Sequence, residues 1–191
     1  MLNTTKMLDD IAEKGWFFQE NAFDENFVDQ AIREYSQKSL KEAGIGVQAN
    51  RHSEIRNDSI FWLEKHHESN FETNYLKFFD TLTKNFNENL YLGLKNHEVH
   101  YAKYPEKGFY KPHLDNFQGK NKRVITVITY LNKEWKQEDG GTLNLHLPEG
   151  IKEIQPKAGS IIVFLSDKIL HEVTTSYKER QSLTGWLLSS N

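Results

Sequence analysis

Residues 123–147 read RVITVITYLNKEWKQEDGGTLNLHL: two apolar, β-branched segments, Arg123–Leu131 and Thr142–Leu147, parted by a polar stretch ending in Asp139-Gly140-Gly141. Both segments have strand length and strand composition, and the Asp-Gly-Gly between them is turn chemistry. Working outward, Glu98–Tyr104 lies upstream, and Ser160–Leu165, His171–Thr175 and Ser182–Leu188 follow downstream. Turns are expected at Pro105–Gly108, Pro148–Gly150 and Pro156–Gly159. At least six short strands at this spacing predict a sandwich or jelly roll. Before residue 95 the period changes. Asp24 can cap a helix carrying Phe27, Val28, Ala31, Ile32 and Tyr35 on one face, which is expected to run to near Gly44. Ser69 with Glu72 forms a capping-box signature for a second helix, striped with Phe71, Tyr75, Phe78, Phe79, Leu82 and Phe86. That stripe predicts a helix face packed on the sheet. Gly44 to Asp58 reads as an extended, mobile excursion. The organisation expected is one domain over 1–191, with helical support in 1–95 and a jelly-roll core in 96–188.

The 191 residues carry 24 Lys plus Arg against 27 Asp plus Glu, a formal charge of −3. That balance disfavours a protein living mainly on nucleic-acid phosphates or anionic lipid. With no cysteine, thiolate catalysis, disulfides and Cys-based metal sites are excluded. Twelve Phe, 8 Tyr and 4 Trp can fill a core despite a modest 37% hydrophobic content. The longest aliphatic run, Ile161 to Leu165, is far too short to span a bilayer, so a soluble, cytoplasmic chain is expected.

The chemistry concentrates in His113-Leu114-Asp115, followed by His171 and Arg180. In a strand, residues i and i+2 share a face, so His113 and Asp115 can present an imidazole and a carboxylate together. A second imidazole from a distant strand completes two His and one carboxylate, the set that suits non-haem Fe(II) working with O2. A His-x-Asp triplet alone carries little. Its context is stronger: His171 lies in a strand-like segment, and Arg180 follows where the next strand begins. A permanently charged guanidinium there can clamp the far carboxylate of an α-keto dicarboxylate.

The segment Tyr104-Pro105 through Phe109-Tyr110 to His113-Leu114-Asp115-Asn116 resembles the metal-binding strand of 2-oxoglutarate-dependent prolyl hydroxylases, most of all those of the EGL-Nine type and their bacterial relatives. Val127 to Trp135, Gly140 to Leu143, Pro148-Glu149-Gly150, Ser166-Asp167, His171-Glu172-Val173, and Arg180 with Thr184 and Trp186 are similar to the same enzymes. So is Ile55 to Trp62. The resemblance implies a double-stranded β-helix, α+β and mainly β, with the N-terminal helices on its major sheet. It implies Fe(II) on His113, Asp115 and His171, and 2-oxoglutarate held by Arg180 with help from the Tyr130 hydroxyl. Tyr104 matches a residue near the iron-bound end of the cosubstrate, and Thr184 one near the cosubstrate or its water. Ile128, Leu143, Val173 and Trp186 match the pocket wall, and Arg56 with Asp58 a charged pair in a loop closing over the substrate. The implied reaction uses O2 and 2-oxoglutarate, with ascorbate as reductant, and hydroxylates a prolyl residue of a protein. For the bacterial branch, elongation factor Tu is the expected kind of target, oxygen sensing an associated role, and monomer the default state.

Other readings stand beside these. The same iron chemistry could serve a small molecule, another protein residue or a nucleic acid, though no basic stripe favours the last. A non-catalytic jelly-roll binder or sensor would not need a dicarboxylate clamp. His52, His66, His67, His97, His100 and His146 read as structural or surface histidines. Lys120 to Arg123 reads as a solvated basic loop, Gly140-Gly141 as a turn, and Arg56 with Asp58 alternatively as a surface ion pair.

Overall fold

The computed structural model describes residues 1–39, 41–42 (backbone only), 55–63, 69–116 and 122–189. Residues 44–54 of the expected excursion, His52, His66, His67 and Lys120 lie outside the described residues. The elements run α1 (Thr4–Lys14), β1 (Trp16–Gln19), α2 (Glu25–Ser36), β2 (Lys41–Glu42), β3 (Ser59–Leu63), α3 (Asn70–Leu90), β4 (Leu94–Tyr104) and β5 (Tyr110–His113). Then come β6 (Arg123–Tyr130), β7 (Leu143–Leu147), β8 (Gly150–Ile154), β9 (Ile161–Leu165), β10 (Leu170–Val173) and β11 (Arg180–Ser189). A major sheet has the order β1-β9-β6-β11-β4-β3-β2, and a minor sheet the order β5-β10-β7-β8. Two antiparallel sheets face each other as a double-stranded β-helix, with helices on the outer face of the larger one.

Period-two alternation explains both faces of the major sheet. Along β6, Ile125 and Val127 join the core under the helices, while Ile128 and Tyr130 join the cluster between the sheets. Along β11, Leu183 and Leu187 point to the helices, while Arg180, Ser182, Thr184 and Trp186 point inward to the cavity between the sheets. The aromatic stripe on α3 packs on this outer face, with Phe79 and Phe86 fully buried. Tyr75 also reaches the sheet, its hydroxyl donating to Thr129 Oγ1 at 2.9 Å. Gly185 is what lets α3 come so close: a Cβ there would stand 2.7 Å from two carbons of the Phe79 ring and 2.8 Å from the Glu98 carbonyl oxygen.

Three expectations need correction. The α2 helix stops at Ser36 rather than near Gly44. Its apolar stripe ends at Tyr35, and Lys38 turns instead to the buried Glu72 carboxylate, 2.8 Å away. The region before residue 95 also contributes strands: β1 pairs with β9 at one edge and β3 with β4 near the other. Four or five residues are too few to display a period. Finally, β5 ends at His113, so Asp115 is not on a strand but in the turn beyond it.

Candidate active site

His113 and His171 are direct partners across the antiparallel β5–β10 pair, with ring centroids 4.3 Å apart. Each donates its Nδ1 proton to the carbonyl two residues upstream, His113 to Lys111 at 2.8 Å and His171 to Ile169 at 2.9 Å. That fixes the tautomer and leaves both Nε2 lone pairs free to bind. Asp115 completes the group: its two oxygens lie 3.7 Å from His113 Nε2 and 3.7 Å from His171 Nε2. One donor atom from each residue falls within 4.8 Å of the others. The Thr126 hydroxyl donates to Asp115 Oδ2 at 2.7 Å and lies 2.8 Å from Ser166 Oγ, which is left to donate in turn. Burial raises the Asp115 carboxyl, but the two imidazoles and the Thr126 hydroxyl outweigh it and hold the group below the usual carboxylate range. Burial lowers His171 to about 4, against the pull of Asp115. At neutral pH the donor set is a carboxylate with a neutral, lone-pair-bearing imidazole, which is what a hard-to-borderline divalent ion requires.

Arg180 opens β11 and is 2% exposed. Its Nε donates to the Gly141 carbonyl at 2.9 Å, and its guanidinium carbon lies 5.1 Å from the Tyr104 ring and 5.0 Å from the Tyr130 ring. Gly141 permits this approach, since a Cβ there would sit 3.0 Å from Arg180 Cδ at a backbone φ of +60°. Among the described residues no carboxylate is paired with Arg180. A buried guanidinium without a counter-ion is expensive unless an anion arrives. Beside it the Tyr130 hydroxyl is buried with no partner in full hydrogen-bond geometry, its pKa pushed up to about 12 by burial against the pull of the neighbouring Arg180 guanidinium. Cation and orphaned hydroxyl together fit the far carboxylate of 2-oxoglutarate.

The donor group and Arg180 border one solvent-open cavity. Of the residues singled out from sequence, Tyr104, Ile128, Thr184 and Trp186 line it from the major sheet, Leu143 and Val173 from the minor sheet. Tyr130 is fully buried beside Arg180 and is not among the residues that line the cavity. Arg56 and Asp58 also border it and are not a surface pair. Arg56 Nε meets Asp58 Oδ1 at 2.6 Å and a second nitrogen meets Oδ2, with Asp58 2% exposed. Burial works against the Arg56 charge, but the Asp58 carboxylate more than restores it and keeps the guanidinium protonated.

Several neighbours were not foreseen. Tyr110 stacks flat on His113 at 3.6 Å between ring centroids, with the Arg56 guanidinium 4.5 Å over its ring. Arg123 begins β6 rather than a solvated loop; it bonds Glu98 at 2.7 Å and lies 3.4 Å over the Trp186 ring. His100 and Thr126 both belong to the inward face. Counting back by twos from Tyr104 or Tyr130 would have found them.

Residues 99–188 match the model of the 2OG-Fe(II) oxygenase superfamily. Human Egl nine homolog 1 is 31% identical over 156 residues, covering 77% of this chain and 36% of that protein. Mouse prolyl hydroxylase EGLN3 is 33% identical over 141 residues, covering 69% of this chain and 58% of that protein. The chain thus spans between a third and three-fifths of these two relatives. A crystal structure of a Pseudomonas putida prolyl-4-hydroxylase superposes with a TM-score of 0.88 at 33% identity, covering 98% of this chain and 100% of that one. The Trichoplax adhaerens prolyl hydroxylase, solved with a hypoxia-inducible-factor peptide fragment, shares the fold at a TM-score of 0.87 and 23% identity. No helix among the described residues is long and apolar enough to cross a membrane. With a His-Asp-His donor group, a buried guanidinium that no described carboxylate pairs, and a similar protein matched over its whole length, the chain belongs to the 2OG-Fe(II) oxygenase superfamily and is similar to its prolyl hydroxylases.

Proposed function

We propose that this chain is a 2-oxoglutarate- and Fe(II)-dependent dioxygenase that hydroxylates a prolyl residue of a protein, with decarboxylation of 2-oxoglutarate to succinate and CO2. The observation that carries the reading is Arg180: a buried cation with no carboxylate partner among the described residues, bordering the same cavity as His113, Asp115 and His171. In this reading those three residues hold the iron, which when bound supplies the oxidative chemistry. Arg180 takes the C5 carboxylate of 2-oxoglutarate with the Tyr130 hydroxyl. Tyr104 and Thr184 contact the cosubstrate, and Ile128, Leu143, Val173 and Trp186 exclude water around it. The Arg56–Asp58 pair borders the substrate's approach. Protein as the substrate class is supported by the relatives, one of which was solved with a peptide fragment. The finer assignments are a translation component such as elongation factor Tu as target, ascorbate as the reductant that keeps the iron ferrous, and a cytoplasmic monomer acting as one domain.

The test supplies Fe(II), 2-oxoglutarate, ascorbate and O2 with purified elongation factor Tu and a library of proline-centred peptides. Mass spectrometry should find one added oxygen on proline, matched by succinate. Turnover of 2-oxoglutarate coupled only to a small molecule or a nucleobase would replace the prolyl reading.

A further inference from the structure

His100 lines the cavity from β4, is 3% exposed, and takes no part in the chemistry described so far. It stands opposite Thr184 of β11 on one side and opposite Trp62 of β3 on the other. Its ring meets Trp62 edge-on at 4.8 Å and lies offset over Trp186 at 5.3 Å. Arg123 also lies over Trp186, its guanidinium carbon 3.4 Å from the ring centroid. A cross-strand column of Trp62, His100, Trp186 and Arg123 therefore forms one wall, and at 40% exposure Trp62 is its solvent end.

Packing alone would be served equally well by methionine or leucine, so the imidazole needs another reason. Its Nδ1 is buried without a partner, and neither ring nitrogen is bonded to any described residue. Buried polar atoms are nearly always satisfied, so an imidazole that lines a cavity with its ring nitrogens unbonded marks a place for a ligand's polar atom. The charge of that ligand atom follows from the surroundings. Burial first, then the Arg56 and Arg123 guanidiniums, lower His100 to about 3, so the ring is neutral at working pH. A neutral imidazole has one N–H donor and one acceptor. A prolyl residue has no amide N–H, so the backbone around it offers carbonyl acceptors, one on the residue before it and one its own.

We propose that His100 is a substrate-recognition residue, donating a ring N–H to a backbone carbonyl flanking the target proline while the Trp62–Trp186 column holds the ring in place. The assignment rests on the prolyl-hydroxylase reading above and adds to it a hydrogen bond that selects a peptide rather than a free metabolite. Neutrality suits the role, because a protonated ring would add a third cation between Arg56 and Arg123.

The experiment screens a proline-centred peptide library with randomised flanks against the Fe(II)-loaded wild-type protein, then measures kinetics on the best peptide for wild type, His100→Met, His100→Asn and His100→Gln. Losing one neutral hydrogen bond should raise the peptide KM of His100→Met by roughly three- to tenfold, with kcat and the 2-oxoglutarate KM nearly unchanged. One of the amide variants, which restore a donor near Nδ1 or Nε2, should recover most of that loss; the pattern separates a hydrogen bond from mere packing. Equal peptide KM in His100→Met and wild type overturns the assignment and leaves the enzyme reading intact. So does a defect confined to the 2-oxoglutarate KM, or a loss that neither amide repairs. Failure of the wild type to hydroxylate any peptide, despite normal 2-oxoglutarate binding, overturns the prolyl reading and this assignment with it.

Discussion

Single atoms decide most of what this cavity can do. The Thr126 hydroxyl donates to Asp115 Oδ2 at 2.7 Å and helps to fix that carboxylate. Thr126→Val keeps the shape and removes the donor. Losing a hydrogen bond to a metal-binding carboxylate weakens metal binding by about 10- to 100-fold, and anaerobic Fe(II) titration followed by calorimetry should register it. Affinity equal to wild type would mean the turn after β5 holds Asp115 unaided. Arg180 yields a prediction of opposite sign in two states. Arg180→Met removes a buried charge that lacks a counter-ion among the described residues, so the cosubstrate-free protein should melt no lower than wild type. The thermal shift on adding 2-oxoglutarate should vanish, because the partner for its far carboxylate has gone. A retained shift would place the clamp elsewhere.

At the level of elements, two faces of one strand do different work, and Gly185 shows how tightly they are bound. Gly185→Ala forces a methyl into the Phe79 ring and the Glu98 carbonyl, contacts too short to keep. Overpacking of this kind costs about 1–3 kcal/mol, which urea unfolding would show as a lower midpoint. An unchanged midpoint would mean α3 can retreat from the sheet freely. The six strands foreseen from Glu98 onward, and the two capped helices, were readable because apolar period and turn chemistry agree in them. The Ser69 cap is present, with its hydroxyl accepting from Glu72 N at 3.4 Å. What could not be read was short or set by partners. The four-residue β1 exists because β9 offers it an edge, and Tyr110 gains its meaning only once β10 brings His171 opposite His113. The donor triad was legible as a residue set; its convergence was not, since His113 and His171 are far apart in sequence and Asp115 leaves the strand before meeting them.

At the scale of the whole molecule, two histidines among the described residues are buried in neutral form, His171 lowered to about 4 and His100 to about 3. Both have an ordinary value of 6.5, so the unfolded chain takes up protons first as pH falls. Stability should therefore be full above pH 6.5 and drain away as pH drops toward 4, with a slope of up to about 1.4 kcal/mol per pH unit for each ring. Urea midpoints across that range check it, and His100→Met should flatten the slope. A profile identical in the variant would assign the loss to other groups.

The alternation along β11 also bears on how such a chain can diverge. Arg180, Ser182, Thr184 and Trp186 alternate with Leu183, Gly185 and Leu187, so inserting or deleting a single codon inside this strand would turn the guanidinium toward the helices and leucines into the cavity. Two added codons would spare the faces yet carry the clamp about 7 Å along the sheet, away from the triad. Lineages descended from this protein are free to vary the length of its loops, but the spacing from Arg180 to Trp186 is the part of the gene where only substitutions can be tried.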